Sequence, residues 1–390
     1  MKRLPLLLLP LTLLLLLIFW PRAGITNSGQ ASVEWISAEQ AGISEQFTRA
    51  YEPTELTFPE DLGPHSDYQT EWWYYTGNLE TEAGRAFGYQ LTFFRRALAT
   101  PESSASQTAA DTSDWRTNQI YFAHFTLSDI ANQKFYPHER FSRASAKLSG
   151  AQAVPYRVWL EDWSAEEIQP GQVHLVADAG DVALDLMLNE TLPPVLQGDR
   201  GYSIKGPEPG NASSYYSIVQ QQTAGTVSMG DRTYTVSGLT WKDHEYSTSA
   251  LSPGTVGWDW FSLQLDNGGA LMLYGLRQED GTIADISSGT YVNPQGQVQH
   301  LSLADWQINV LDTWHSPISQ ADYPAQWHIA VPQLGLALDG QSLIPNQELN
   351  ISTTYWEGAV AFDGVLDNQP IAAKGYVEMT GYADSLDSLL

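Results

Sequence analysis

Glu71-Trp72-Trp73-Tyr74-Tyr75-Thr76-Gly77-Asn78-Leu79 is the stretch that decides the fold class. As a strand it places Glu71, Trp73 and Tyr75 on one face and Trp72, Tyr74 and Thr76 on the other, because successive side chains point to opposite sides. Both faces are then aromatic and both need cover, either from barrel contents inside and a second domain outside, or from a ligand. Core packing accounts for the aromatic residues by themselves, with Glu71 at a solvated strand end.

Outward from this segment, short runs of β-branched and aromatic residues separated by Gly, Asn, Asp and Pro continue to the C-terminus, the signature of an all-β sandwich or barrel. Helical periodicity is almost absent. Gln172 to Asn189 shows the pattern best: Val173, Leu175 and Ala177 alternate with polar residues, Ala179-Gly180-Asp181 turns, and Val182, Leu184, Leu186 and Leu188 return as the second arm of a hairpin. Other strands are predicted at Ala86–Arg95, Gln119–Leu127, Tyr234–Trp241, Gly257–Leu265 and Ile371–Met379. Ala97–Asn118 and Asp199–Ser214 interrupt the rhythm as long loops, of the kind that serve as lids or insertions. Trp258-Asp259-Trp260-Phe261 running to Leu265, with a turn at Asn267-Gly268-Gly269 and a strand carrying Tyr274, echoes the Trp72 hairpin and its Tyr89. That echo points to a duplication, with domains at 61–232 and 233–390 after a linker at 32–60.

Composition limits the function. The chain has 390 residues, 45 Asp+Glu against 19 Lys+Arg, a net charge of -26 and no cysteine. With no Lys/Arg cluster to release counterions, nucleic acid is not an expected partner. Without cysteine there is no disulfide, thiolate nucleophile, iron–sulfur cluster or cysteine zinc site. Lys2 and Arg3 precede an apolar run from Leu4 to Trp20 that Pro21 and Arg22 close, the layout of an export signal or a signal anchor over residues 1–31. Losing that segment would remove three basic residues and no acid, moving the net charge from -26 to -29. The expected location is therefore the periplasm, or the periplasmic face of the inner membrane if the segment is retained.

Trp241-Lys242-Asp243-His244-Glu245-Tyr246 gathers adjacent ionisable groups between aromatic residues in a chain that is only 16% charged. On a strand Asp243 and Glu245 share a face and His244 takes the other. Burial beside tryptophan would raise a carboxyl pKa and keep a transferable proton near neutrality, as general acid catalysis requires; a hydrogen-bonded strand end would explain the same residues without catalysis. His124, in Tyr121-Phe122-Ala123-His124-Phe125, is a lone imidazole in an apolar run. His65, Asp67, His124, Asp243, His244 and Glu245 lack tight metal-ligand spacing, so no metal is expected. No Gly-x-Ser-x-Gly elbow, phosphate loop or dinucleotide fingerprint appears, and no cofactor is expected.

Several segments resemble the AttH and hydroxyneurosporene synthase (carotenoid 1,2-hydratase) family. They are Glu71–Leu79, Gln90-Leu91-Thr92-Phe93-Phe94-Arg95, Ala123-His124-Phe125, Pro194-Val195-Leu196-Gln197-Gly198, Trp241-x-Asp243-His244-Glu245 and Gly257–Leu265. The resemblance implies two consecutive lipocalin-like antiparallel β-barrel domains. It also implies an exported protein described as a secreted hydrolase or as a companion of an ABC transport system, and chemistry on apolar ligands such as hydration of an isolated carotenoid double bond. Trp241-Lys242-Asp243-His244-Glu245 follows the AttH form rather than the hydratase form, which separates this chain from the carotenoid branch.

Together these features predict an aromatic-lined pocket for an apolar or amphipathic small molecule near the domain interface. As an enzyme, a hydrolase or hydro-lyase, it would use Asp243, His244 or Glu245 as proton donor, with Glu71 or His124 positioning water. Trp73, Tyr75, Tyr89, Trp258, Asp259, Trp260 and Tyr274 would shape the pocket. The alternative is a carrier or accessory protein of an envelope ABC transporter, in which the acids only orient the ligand.

Overall fold

The computed structural model describes residues 44–100, 117–249 and 251–383. The predicted signal or anchor, part of the 32–60 linker and most of the Ala97–Asn118 loop lie outside the described residues.

Strands β1 (Thr70–Glu80), β2 (Ala86–Ala97), β3 (Gln119–Asp129) and β4 (Lys134–Arg143) form one meander. A second contains β5 (Ser149–Gln152), β6 (Arg157–Leu160), β7 (Trp163–Gln169), β8 (Gln172–Asp178) and β9 (Val182–Glu190). Short β10 (Val195–Leu196) and β11 (Tyr202–Ile204) pair with β12 (Ala212–Met229), so the Asp199–Ser214 segment expected as a loop contains a strand and the start of another. Strand β13 (Arg232–Ser247) then inserts between β12 and β1. The sheet curls in a barrel-like way in the order β4-β3-β2-β1-β13-β12-β9-β8-β7-β6-β5.

The second sheet repeats this winding. Strands β14 (Thr255–Leu265), β15 (Ala270–Gln278), β16 (Ser288–Val292) and β17 (Val298–Ser302) form its first meander. After them come β18 (Gln307–His315), β19 (Asp322–Val331), β20 (Leu336–Ser342), short β21 (Glu348–Asn350) and β22 (Thr354–Leu366). The last strand, β23 (Gln369–Met379), inserts between β22 and β14 as β13 does between β12 and β1. The echo of the Trp72 hairpin in the Trp258 hairpin is thus an echo of position, since β1 and β14 open equivalent sheets. It also moves the domain division. The expected boundary at 232/233 falls at the β12–β13 turn, inside the first sheet, and the change of sheet comes between Ser247 and Thr255. Strand β13 stays with the first sheet because eleven register pairs with β1 hold it there, from Thr70↔Ser247 to Glu80↔Ser237.

Alternation sets the packing. In β8 and β9 every second residue is buried, as predicted. Strand β1 is covered on both faces: Trp73, Tyr75 and Leu79 join the core inside the first sheet, while Tyr74 packs with Trp241, Trp260, Tyr274 and Tyr376 in a third core between the two sheets. Gly88 on β2 permits that close approach. A Cβ there would lie 2.6 Å from the Tyr376 hydroxyl and 2.7 Å from the Ala359 Cβ.

Candidate active site

Two cross-strand rows on the outer face of the first sheet build one wall of a cavity between the sheets. One row reads Ser217, Asp243, Tyr74, Thr92, His124 and Glu139 across β12, β13, β1, β2, β3 and β4. The neighbouring row reads Tyr215, Glu245, Trp72, Phe94, Phe122 and Phe141 across the same strands. A polar row thus lies beside an aromatic one. The second sheet supplies the opposite wall with Tyr274, Trp260, Glu378 and Glu357, again consecutive across β15, β14, β23 and β22. The cavity between them measures about 250 Å³.

Asp243 is held from three directions. The Trp241 indole N–H and the Ser217 hydroxyl donate to Oδ1 at 2.7 and 2.5 Å, and the Tyr215 hydroxyl donates to Oδ2 at 2.7 Å. Burial pushes its carboxyl up to about 7, and the three donors oppose that rise. The Trp260 N–H donates in turn to the Tyr215 oxygen at 3.2 Å, so an aromatic side chain of the second sheet positions the group that holds Asp243. Glu245 accepts from Ser213 at 2.5 Å and pairs with Lys205 at 2.7 Å.

Glu357 and Glu378 sit directly opposite each other on β22 and β23. Glu357 is buried and Glu378 half-buried, and withdrawal from water raises both. The Glu357 carboxyl goes well above the carboxylate range, with the charge of Glu378 adding to the effect, and the Glu378 carboxyl is pushed up to about 8. Two facing carboxyls in an apolar site cannot both ionise without strong repulsion, so at neutral pH the pair retains a proton. Glu378 accepts from the Trp258 indole at 3.2 Å. Among the described residues neither Glu357 oxygen closes a hydrogen bond, although the Tyr74 and Tyr355 hydroxyls lie near enough to pull its carboxyl back down. The Tyr74 and Tyr376 hydroxyls in the same interface are also without a bonded partner.

The other sequence-predicted residues separate by face. Asp243, Glu245, His124, Trp258, Trp260 and Tyr274 line the cavity. His244 and Glu71 point the opposite way, into the first sheet. There the His244 Nε2–H donates to Glu71 Oε1 at 2.8 Å, the Arg95 Nε–H donates to Oε2 at 2.8 Å, and His65 Nδ1 lies 2.8 Å from Oε1. Glu71 is therefore fully buried rather than at a solvated end. Burial alone would raise its carboxyl, but Arg95 and the two imidazoles hold it well below the carboxylate range. Burial brings His244 down to about 4, and the Tyr216 hydroxyl, 2.9 Å from Nδ1, donates to the neutral ring.

His65, Glu71 and His244 present ligand atoms within 4.8 Å of one another, a cluster that sequence spacing did not reveal. Each of these atoms already bonds to a protein group, and Arg95 occupies the second Glu71 oxygen, so the network closes as hydrogen bonds. Trp73 stacks on His244 and donates to the Leu62 carbonyl at 3.1 Å. The Tyr75 and Tyr89 hydroxyls bond to Tyr156 and Thr240 within the first sheet's core. These three are core residues, because odd-numbered positions of β1 and β2 face inward. Asp259, between two cavity tryptophans, points away from the cavity to Arg277 and Tyr382, each at 3.1 Å.

Residues 49–382 match the profile of a family described as AttH-like. The chain belongs to the AttH-like family. An AttH crystal structure from Nitrosomonas europaea aligns with a TM-score of 0.76 at 32% identity, covering 86% of this chain and 99% of that one. Kievitone hydratase of Fusarium solani subsp. phaseoli is 23% identical over 268 residues, which is 66% of this chain and 74% of the hydratase. The crystal structure of kievitone hydratase from Nectria haematococca shares the fold, with a TM-score of 0.65 at 13% identity over 87% of this chain and 98% of that one. The AttH resemblance and the all-β, two-sheet architecture expected from the sequence are both borne out.

Glu357, Glu378, Tyr215 and Tyr355 were missed in the sequence. The available signal was a lone acid inside an aromatic or apolar run, in Tyr355-Trp356-Glu357 and Tyr376-Val377-Glu378-Met379. Nothing in either run announces the other.

Proposed function

We propose that the cavity binds an apolar or amphipathic small molecule and adds water across one of its carbon–carbon double bonds, or removes water in the reverse direction. The observation that carries this is Glu357, a buried acid with both oxygens unbonded, facing Glu378 across β22 and β23. A carboxylic acid kept neutral in an apolar site is suited to protonate an alkene carbon. The resulting cation would lie among the faces of Trp72, Tyr74 and Trp260. As a water oxygen bonds to that cation, its proton passes to the Asp243 carboxylate, leaving Glu357 ionised and Asp243 protonated until proton exchange resets both. The similarity to a protein named kievitone hydratase supports this class of reaction.

The reading also places the protein in the envelope, exported through the apolar segment from Leu4 to Trp20. The test is mass spectrometry of small molecules that co-purify with the protein from envelope extracts, before and after incubation of the complex in isotopically labelled water. The expected result is an unsaturated apolar ligand that gains one labelled water with the wild type and is bound unchanged by Glu357→Gln. A ligand bound but unaltered by both proteins would refute catalysis and favour the carrier serving an ABC transport system.

A further inference from the structure

We infer that Glu139, His124 and Tyr355 form a proton relay from the protein surface to Glu357. The inference rests on the reading of Glu357 as a proton donor. A donor buried behind bound substrate must regain one proton per turnover, and it needs a path that does not cross the occupied cavity.

The geometry supplies that path. His124 on β3 uses both ring nitrogens: Nδ1 lies 2.7 Å from the Tyr355 hydroxyl of the second sheet, and Nε2 lies 3.1 Å from Glu139 Oε1 on β4. The Phe94 and Phe122 rings flank the imidazole at 5.1 and 5.7 Å between centroids. Glu139 retains 13% of its side-chain exposure and also accepts from the Ser352 hydroxyl, so the outer end of the chain reaches the surface. At the inner end Tyr355 and Glu357 are two residues apart on β22 and share a face. The Tyr355 hydroxyl is bonded to His124, and burial together with the neighbouring Glu357 raises its pKa, so a small shift of the Tyr355 and Glu357 side chains toward each other closes the last link. The charged and titratable groups facing this path are Arg96 of β2 and Glu378 of β23, which line the same cavity, together with Tyr74 of β1.

In the inward step a proton on Glu139 moves to Nε2 while the Nδ1 proton moves to the Tyr355 oxygen and the Tyr355 hydroxyl proton moves to the Glu357 carboxylate. One proton enters and one arrives. The imidazole is left as its other tautomer, and proton exchange with water, off Nε2 and onto Nδ1, restores the first between turnovers. A contact that merely stapled the two sheets together would need a single bond between them. Here the imidazole joins a surface carboxylate on one side to the neighbour of an unbonded acid on the other.

Hydrogen–deuterium exchange of the protonated carboxyl, followed by its infrared carbonyl band, tests this without a substrate. The band is assigned by its loss in Glu357→Gln. In wild type it shifts soon after transfer to deuterated buffer. In Tyr355→Phe, which removes one hydroxyl and keeps the ring, the band persists but its exchange waits on local opening and slows by at least about ten-fold. Glu139→Gln, or His124→Gln if the phenylalanine variant does not fold, shifts the rate in the same direction. Unchanged exchange in a folded variant overturns the relay. Faster exchange also overturns it, because that is what a loosened staple would give. Absence of the band from wild type instead overturns the donor reading of Glu357, and the relay with it.

Discussion

Replacing Glu378 with glutamine should make the protein more stable at high pH. Burial pushes the Glu378 carboxyl up to about 8 from its ordinary 4.5, and the charges of Asp243 and Glu245 add to that rise. Between those values the folded chain holds a proton that the unfolded chain has released. Stability is thus fully present below pH 4.5 and declines until the folded group itself ionises near pH 8. At about 1.4 kcal/mol per pH unit, the interval amounts to at most about 5 kcal/mol, less the screening by solvent that reaches the half-buried side chain. Glu357 acts in the same direction, so the pair makes the native state increasingly costly in alkali.

Glutamine keeps the shape of the neutral acid and an acceptor for the Trp258 indole N–H, but it has no proton to lose. Urea unfolding of both proteins at about pH 5 and about pH 9 should show near-equal stability in acid and a gain of several kcal/mol for Glu378→Gln in alkali. Parallel pH profiles for the two proteins would mean that Glu378 is ionised in the native state, and the account of the acid pair would be refuted.

Two further substitutions separate the faces of the first sheet. Glu71→Gln leaves Arg95 buried without its counter-charge and should cost about 3–5 kcal/mol in urea. It should also flatten the acid limb of the stability profile, since the low Glu71 pKa gives stability that is present above its unfolded value and lost as pH falls. Binding of an apolar fluorescent probe to the cavity should be unchanged in this variant, because Glu71 lies on the other side of the sheet. Gly88→Val should do the reverse. Its new side chain meets Tyr376 and Ala359 in the inter-sheet core, so it should cost about 1–3 kcal/mol by overpacking and alter probe affinity.

Much of the architecture was legible. The aromatic strand at Glu71–Leu79 required cover on both faces, and it has the core of its own sheet on one side and the second sheet on the other. Alternation alone placed Asp243 and Glu245 on one face and His244 on the other. Three features were not legible. The sequence grouped Glu71 and His244 with Asp243 because neighbours in a chain look like neighbours in a site, yet the pleat sends them to opposite sides of one sheet. The domain division was placed from the repeated aromatic hairpin, and it fell where a turn joins two strands of the same sheet. The acid pair was invisible because Glu357 and Glu378 meet only through the register of β22 and β23.

By itself, the sequence determined the strand-rich composition, the period-two faces, the repeated aromatic hairpin and the absence of thiol chemistry. These are local properties, fixed by side-chain size and alternation along the chain. Tertiary structure decided which of the two faces is chemically active. Packing the outer face of one sheet against an equivalent face of the other removes four carboxyls from bulk water, and two of them, Asp243 and Glu245, are met by protein donors or a lysine. Glu378 has one indole N–H, and Glu357 is left without a bonded partner. The proton affinity of a carboxyl depends on what surrounds it in space, so that asymmetry came into being only when the sheets met.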